Sequence, residues 1–123
     1  MADFPRSPCP IARSLDLIGD KWTMVILRDL LTGKSRYSEF LASPERITTN
    51  ILADRLERME TSGLILRQPY QDRPVRYEYR LTEKGRGLHP TLRALCRWAN
   101  EFMPGTWTPP PAFMADEDNP QSS

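Results

Sequence analysis

The chain has 123 residues, 39% of them hydrophobic and 27% charged, which suits one domain with a modest core. No apolar run reaches the length of a membrane span, about 18 residues, and the opening MADFPRSPCP holds no apolar signal core, so neither a membrane nor export is expected. The net charge of +1 hides an asymmetry: residues 104–123 carry Asp116, Glu117 and Asp118 and no base, leaving residues 1–103 with 17 bases against 13 acids, a surplus of +4 that permits a nucleic-acid partner without announcing one.

Residues 1–8, with Pro5 and Pro8, read as a loose arm. Pro10 then suits the first turn of a helix whose apolar stripe is Ile11, Leu15 and Ile18 and whose stop is Gly19. Asp20 is a natural N-cap for a second helix, KWTMVILRDLLTG, which is apolar nearly all round and therefore central and buried. A short third helix fits RYSEFLAS at 36–43, broken by Pro44. The fourth, ITTNILADRLERMETSG at 47–63, takes Thr48 as cap, Ile51, Leu52, Leu56 and Met59 as its apolar arc, and Gly63 as its stop.

After Gly63 the hydrophobic period changes from 3.6 to 2. LILRQPYQ at 64–71 and VRYEYRLT at 75–82 read as two strands around a charged tip, DRP, with Pro69 restricted to an edge or bulge. The last helical pattern covers 83–102, with Leu88, Leu92, Leu95, Ala99 and Phe102 on one stripe, Arg86, Arg93 and Arg97 opposite, and a kink or new start at Pro90. That stripe suits a partner helix, and a chain this short has little core left to cover it. Residues 104–123 form a proline-rich acidic tail in which Trp107, Phe113 and Met114 are docking candidates.

The function classes narrow accordingly. Cys9 and Cys96 make no disulfide framework, and with a single histidine, His89, expected on the surface, no metal cluster is expected; neither is a cofactor. There is no glycine-rich phosphate loop and no Gly-x-Ser-x-Gly, so an enzyme is not expected. The default setting is a reduced cytoplasm. The order short helix, turn, longer helix, hairpin is that of a winged helix-turn-helix: mainly α with a small β-hairpin wing.

Several segments carry a resemblance to a known family. They are CPIARSLDLIGDKWTMVILRDLLTG at 9–33, RYSEF at 36–40, ITTNILADRLERMETSGLI at 47–65 and RYEYRLTEKGRGLHPTLRAL at 76–95. Within them Cys-Pro precedes the first helix and Gly-x-Lys-Trp the second. Arg-Leu-x-x-Met-x-x-x-Gly-Leu lies in the fourth helix and Tyr-x-Leu-Thr-x-x-Gly follows the wing. The chain resembles the HxlR-type winged helix-turn-helix transcriptional regulators over residues 9–103. The resemblance implies a homodimer joined through its terminal helices, binding an inverted-repeat DNA operator. A winged-helix module that binds protein instead of DNA is the alternative. Many relatives carry a basic residue or proline early in the recognition helix, where this chain has Thr49 and Asn50, so no operator sequence carries over.

Within this frame Thr48, Thr49 and Asn50 open the recognition helix and are its DNA-reading end, with Thr48 also its cap and asparagine suited to an adenine edge. Arg36, before that helix, and Arg73 and Arg76, at and just past the wing tip, are placed for phosphates; an exposed turn also explains the latter two. Arg55 is either a phosphate contact or an intramolecular ion-pair member, and Arg58 pairs locally with Asp54. Cys9 is either a small packing residue or an oxidant sensor, as it is in some relatives; a helix N-terminus gives it a positive electrostatic setting. Any effector, small molecule or oxidant, would meet a cleft between the second helix and the dimer helices, near Trp22, Tyr37 or Trp98.

Overall fold

Proline and capping residues set most element boundaries near where the sequence places them, but the second helix starts at Thr23, with Trp22 and not Asp20 at its N-cap position. The computed structural model describes residues 6–115, and along them run α1 (Pro10–Ile18), α2 (Thr23–Leu31), α3 (Tyr37–Leu41), α4 (Thr49–Thr61), β1 (Ile65–Asp72), β2 (Val75–Leu81), α5 (Glu83–Arg86), α6 (His89–Phe102) and α7 (Pro111–Met114). The succession α3, turn, α4, hairpin is the expected winged helix-turn-helix. No helix among the described residues is long and apolar enough to cross a membrane.

The core is a single cluster. Ile26, Leu27 and Leu30 of α2 meet Phe40 of α3, Ile47, and Leu52, Leu56 and Met59 of α4, with Leu64, Ile65, Leu92 and Phe113 closing the sides. Each fully buried aliphatic side chain there contributes roughly 1.5–3 kcal/mol. α4 ends at Gly63, whose φ of +82° is a conformation that glycine adopts without strain.

β1 and β2 pair antiparallel from Ile65↔Leu81 to Pro69↔Tyr77, slip at Tyr70, and resume at Gln71↔Arg76. Proline has no N–H for the ladder, and the irregularity falls directly after Pro69. The hairpin is tied to the rest of the domain at the entrance to α3: the Tyr79 backbone N–H donates to the Ser35 carbonyl at 2.8 Å, and Arg36 bridges to Glu78.

The structure refines the expectations for α1, α6 and the tail. The stripe of α1 is covered only at Ile18, which packs against the core, while Ile11 is 71% and Leu15 52% exposed. The pattern at 83–102 divides into α5 and α6 with the new start expected at Pro90, which sits in the first turn of α6 after His89. The stripe of α6 also divides. Leu92 packs into the core with Cys96 beside it, while Leu95, Trp98 and Phe102 face outward. Arg93, expected on the outer face, is buried. Finally, of the three docking candidates beyond Phe102, Phe113 and Met114 return to the domain while Trp107 stays 68% exposed. Phe113 is buried, its carbonyl lies 3.0 Å from His89 Nε2 and its ring 4.6 Å from the imidazole, so His89 is half-buried instead of superficial. Residues 116–123, which hold the three acids of the tail, lie outside the described residues, as do residues 1–5 of the arm.

Candidate nucleic-acid interface

The N-terminus of α4 is built by its cap. The Thr48 hydroxyl accepts from the Ile51 N–H at 3.3 Å, which leaves Thr49 and Asn50 exposed in the first turn. The Tyr37 hydroxyl donates to the Thr49 carbonyl at 2.9 Å, so α3 fixes where that turn points.

Arg36 is held on two sides. The Glu39 carboxylate accepts from the Ser35 and Arg36 backbone N–H groups at 2.8 and 2.9 Å, and these bonds hold its carboxyl below the usual range. The guanidinium lies 3.7 Å from the centroid of the Tyr70 ring. Tyr70 is the residue at the slip in the hairpin, so the irregularity after Pro69 aims an aromatic ring from the wing at the helix-turn-helix. Periodicity could not reveal this, because a bulge moves a side chain off its alternating face.

Between α3 and the wing lies a cleft of about 400 Å³ walled by Arg36, Tyr37, Tyr70 and Arg76. The structure therefore brings together Arg36 and Arg76, with Tyr37 of the same cleft reaching Thr49. Arg73 stands exposed at the hairpin tip. Lys34 faces elsewhere, its Nζ donating to Ser43 Oγ at 2.8 Å.

Arg55 is engaged within the chain. Its Nε donates to Asp20 at 2.8 Å and its Nη1 to Asp54, and Asp54 also meets Arg58 at 3.4 Å. Asp20 in turn accepts from the Trp22 and Thr23 backbone N–H groups and from the Thr23 hydroxyl. One carboxylate thus caps the start of α2 and anchors the middle of α4. Burial by itself would raise the Asp20 carboxyl, but the bonds from Thr23, Arg55 and the Trp22 and Thr23 N–H groups outweigh it and hold the group at about 2. A carboxyl depressed on folding stabilises the fold above its ordinary value of 3.8, and this is lost as pH falls toward about 2. Asp20→Ala is expected to cost about 1–2 kcal/mol near neutrality. The gap to wild type in urea midpoint should shrink between pH 4 and 2; a gap that stayed constant down to pH 2 would refute the assignment.

A second network escaped the sequence reading. Asp29 is buried in α2; it accepts from Ser43 Oγ at 2.5 Å and from Arg28 at 2.8 Å. Arg28 also forks onto both Glu45 oxygens, at 2.6 and 2.9 Å. α2 is thereby fixed to the turn between α3 and α4. The available signal was a carboxylate in a helix otherwise apolar all round, which has to find partners when buried.

Cys9 is the N-cap residue of α1 and is exposed; its N–H donates to Ser7 Oγ at 3.0 Å. Cys96 is half-buried, and burial pushes its thiol up.

With this geometry in hand, the comparisons are specific. A model of the HxlR-like helix-turn-helix matches residues 17–106. An HTH-type transcriptional regulator of Mycobacterium tuberculosis is 39% identical over 100 residues, which are 81% of this chain and 63% of that protein, so the chain spans under two thirds of that relative's length. Among solved structures, the redox regulator HypR in its oxidized form is 34% identical with a TM-score of 0.69, over 76% of this chain and 96% of that one. The reduced form of the transcriptional regulator YodB from B. subtilis is 30% identical with a TM-score of 0.66, over 82% of this chain and all of that one. By the family model that covers most of its length and by its fold, this chain belongs to the HxlR-like helix-turn-helix proteins.

Proposed function

We propose that the protein is a cytoplasmic transcriptional regulator that binds an inverted-repeat operator in double-stranded DNA as a homodimer. The observation that carries this is the single surface formed by the exposed first turn of α4 and the Arg36–Arg76 cleft, joined through Tyr37 and Thr49. In this reading Asn50 and Thr49 meet base edges, Thr48 sets their position as cap, and Arg36, Arg73 and Arg76 meet phosphates. Arg55 supports the interface through Asp20, which keeps α4 seated on α2. The exposed apolar residues of α1 and α6 support the dimer.

Selection of bound fragments from a genomic library tests the reading and yields the operator. On that operator Asn50→Ala is expected to cost about 1–3 kcal/mol, roughly 5- to 150-fold, with binding to unrelated DNA unchanged. Arg36→Ala and Arg76→Ala should each weaken both and lower the slope of log K against log salt by about 1. Failure of the folded dimer to retain any DNA at low salt would instead favour the protein-binding module.

An oxidant response is proposed for Cys9, on the ground that its thiol is exposed at the start of α1 and that the HypR neighbour is a redox regulator. Peroxide or diamide should change the operator affinity of wild type and leave Cys9→Ser unaffected. Equal responses in the two proteins would remove Cys9 from this role.

A further inference from the structure

Beyond α6 the chain forms a strap pinned at both ends. At the near end, Asn100 Nδ2 donates to Thr106 Oγ1 at 2.9 Å and to the Trp107 carbonyl at 3.2 Å, and Thr106 Oγ1 donates to the Met103 carbonyl at 3.1 Å. At the far end, Phe113 is buried in the core against His89. Between these points lie Pro109, Pro110 and Pro111, each with a fixed φ. The strap does not collapse onto the helices. Under it remains a cavity of about 560 Å³, bounded by the C-terminal half of α2 and the inner side of α6. That volume falls within the range of small-molecule sites, about 300–1,000 Å³.

The walls have a definite chemistry. Trp107, Phe113, Pro110 and Ala99 supply flat apolar surface, and the polar end holds Arg28, Lys34 and the Asp29 carboxylate that Arg28 and Ser43 satisfy. Arg28 is satisfied by two carboxylates, Asp29 and Glu45. The Lys34 ammonium donates to a neutral hydroxyl, that of Ser43, and forms no ion pair among the described residues. The cavity thus offers aromatic walls and a lysine that, although its charge also acts on Glu39 and Glu45, hydrogen-bonds a neutral hydroxyl and can meet an acid.

We propose that this cavity binds a small, flat, largely apolar molecule carrying one acidic group, with the acid on Lys34 and the rings between Trp107 and Ala99. Ser43 lies in the turn between α3 and α4 and donates to Asp29, so a ligand acid that takes Lys34 acts on the contact that seats α4. By linkage, occupancy and operator affinity change together. This last step rests on the DNA-binding reading; the site itself does not.

Calorimetry on the full chain with 2-naphthoate and the neutral 2-naphthalenemethanol tests the site without DNA. Wild type should bind naphthoate at least tenfold more tightly than the alcohol, and Lys34→Gln should abolish that difference. Ala99→Trp, which fills the cavity, should abolish binding of both, and Trp107→Ala, which removes one wall without adding bulk, should weaken both at least tenfold. Thermal melts would confirm that each variant is folded. No binding by wild type, equal affinity for acid and alcohol, or binding that survives Ala99→Trp in a folded protein would overturn the proposal. Naphthoate should also shift operator affinity in wild type and not in Ala99→Trp. A protein that binds naphthoate but no DNA would sink the operator reading while leaving the site standing.

Discussion

Gly85→Ala should destabilise the domain by about 3 kcal/mol and lower its melting temperature by roughly 10–20 °C, a large effect for one added methyl group. A Cβ at Gly85 would stand 2.2 Å from the Leu64 carbonyl oxygen and 3.0 Å from Leu81 Cδ2. The Leu64 oxygen is backbone and cannot swing aside. It also accepts from the Thr82 N–H at 3.1 Å. Thr82 Oγ1 in turn donates to the Gly63 carbonyl at 2.6 Å and accepts from the Gly85 N–H at 3.1 Å. Thr82 and Gly85 therefore lock the end of β2 and the start of α5 against the exit of α4, and the extra methyl would separate them. Gly63→Ala is the useful contrast. At Gly63 the nearest atom to a built Cβ is Lys84 Cδ at 3.9 Å, so only the positive φ opposes the change, at about 1 kcal/mol. Differential scanning calorimetry of the two variants separates the causes. Equal melting temperatures for Gly85→Ala and wild type would mean that the close approach does not constrain the fold.

The same region shows why parts of the fold were legible and others were not. Thr48, Asp20, Pro10 and Gly63 act on neighbours within a few residues, so sequence spacing alone predicts their roles, and the structure has Thr48 and Asp20 accepting the backbone bonds assigned to them. The Tyr-x-Leu-Thr-x-x-Gly motif was visible as a pattern, but its reason was not, because Gly85 answers to Leu64, 21 positions earlier. Long-range partners hid the remaining features in the same way. Arg93 sits on the polar side of a helical wheel yet is buried, and His89 looked superficial until Phe113 returned 24 residues later to cover it. At the interface, the α4 cap and the arginines were legible as residues. Their grouping was not, since Arg36 is positioned by Tyr70 across a bulge whose direction no period encodes. Asp29 shows the limit most plainly: its burial demanded partners, but only the folded turn supplies Ser43.

Replacing Leu95 and Trp98 together by glutamate should yield a folded monomer that binds its operator at least 100-fold more weakly. Leu95, Trp98 and Phe102 are 51%, 57% and 61% exposed and recur at helical spacing, with the Trp98 and Phe102 rings 5.9 Å apart. Leu92, which belonged to the same stripe in the sequence, is 6% exposed. α6 thus satisfies its own domain with one edge and presents the other to solvent, and α1 does the same with Ile11 and Leu15. Two helices with uncovered apolar edges are what a partner subunit would bury. Charges placed at exposed positions cost the isolated fold little, within about 0.5 kcal/mol, but buried between subunits they would face a large desolvation penalty. In the proposed dimer each subunit would read one half-site, so losing the link between two half-sites would remove an effective-concentration advantage of about 10²–10⁴. Sedimentation equilibrium gives the mass, circular dichroism the fold, and a gel shift the affinity. A variant that keeps the wild-type mass while its circular dichroism is unchanged would place the dimer contact elsewhere. A wild type that is monomeric at concentrations where it saturates the operator would end the dimer reading altogether.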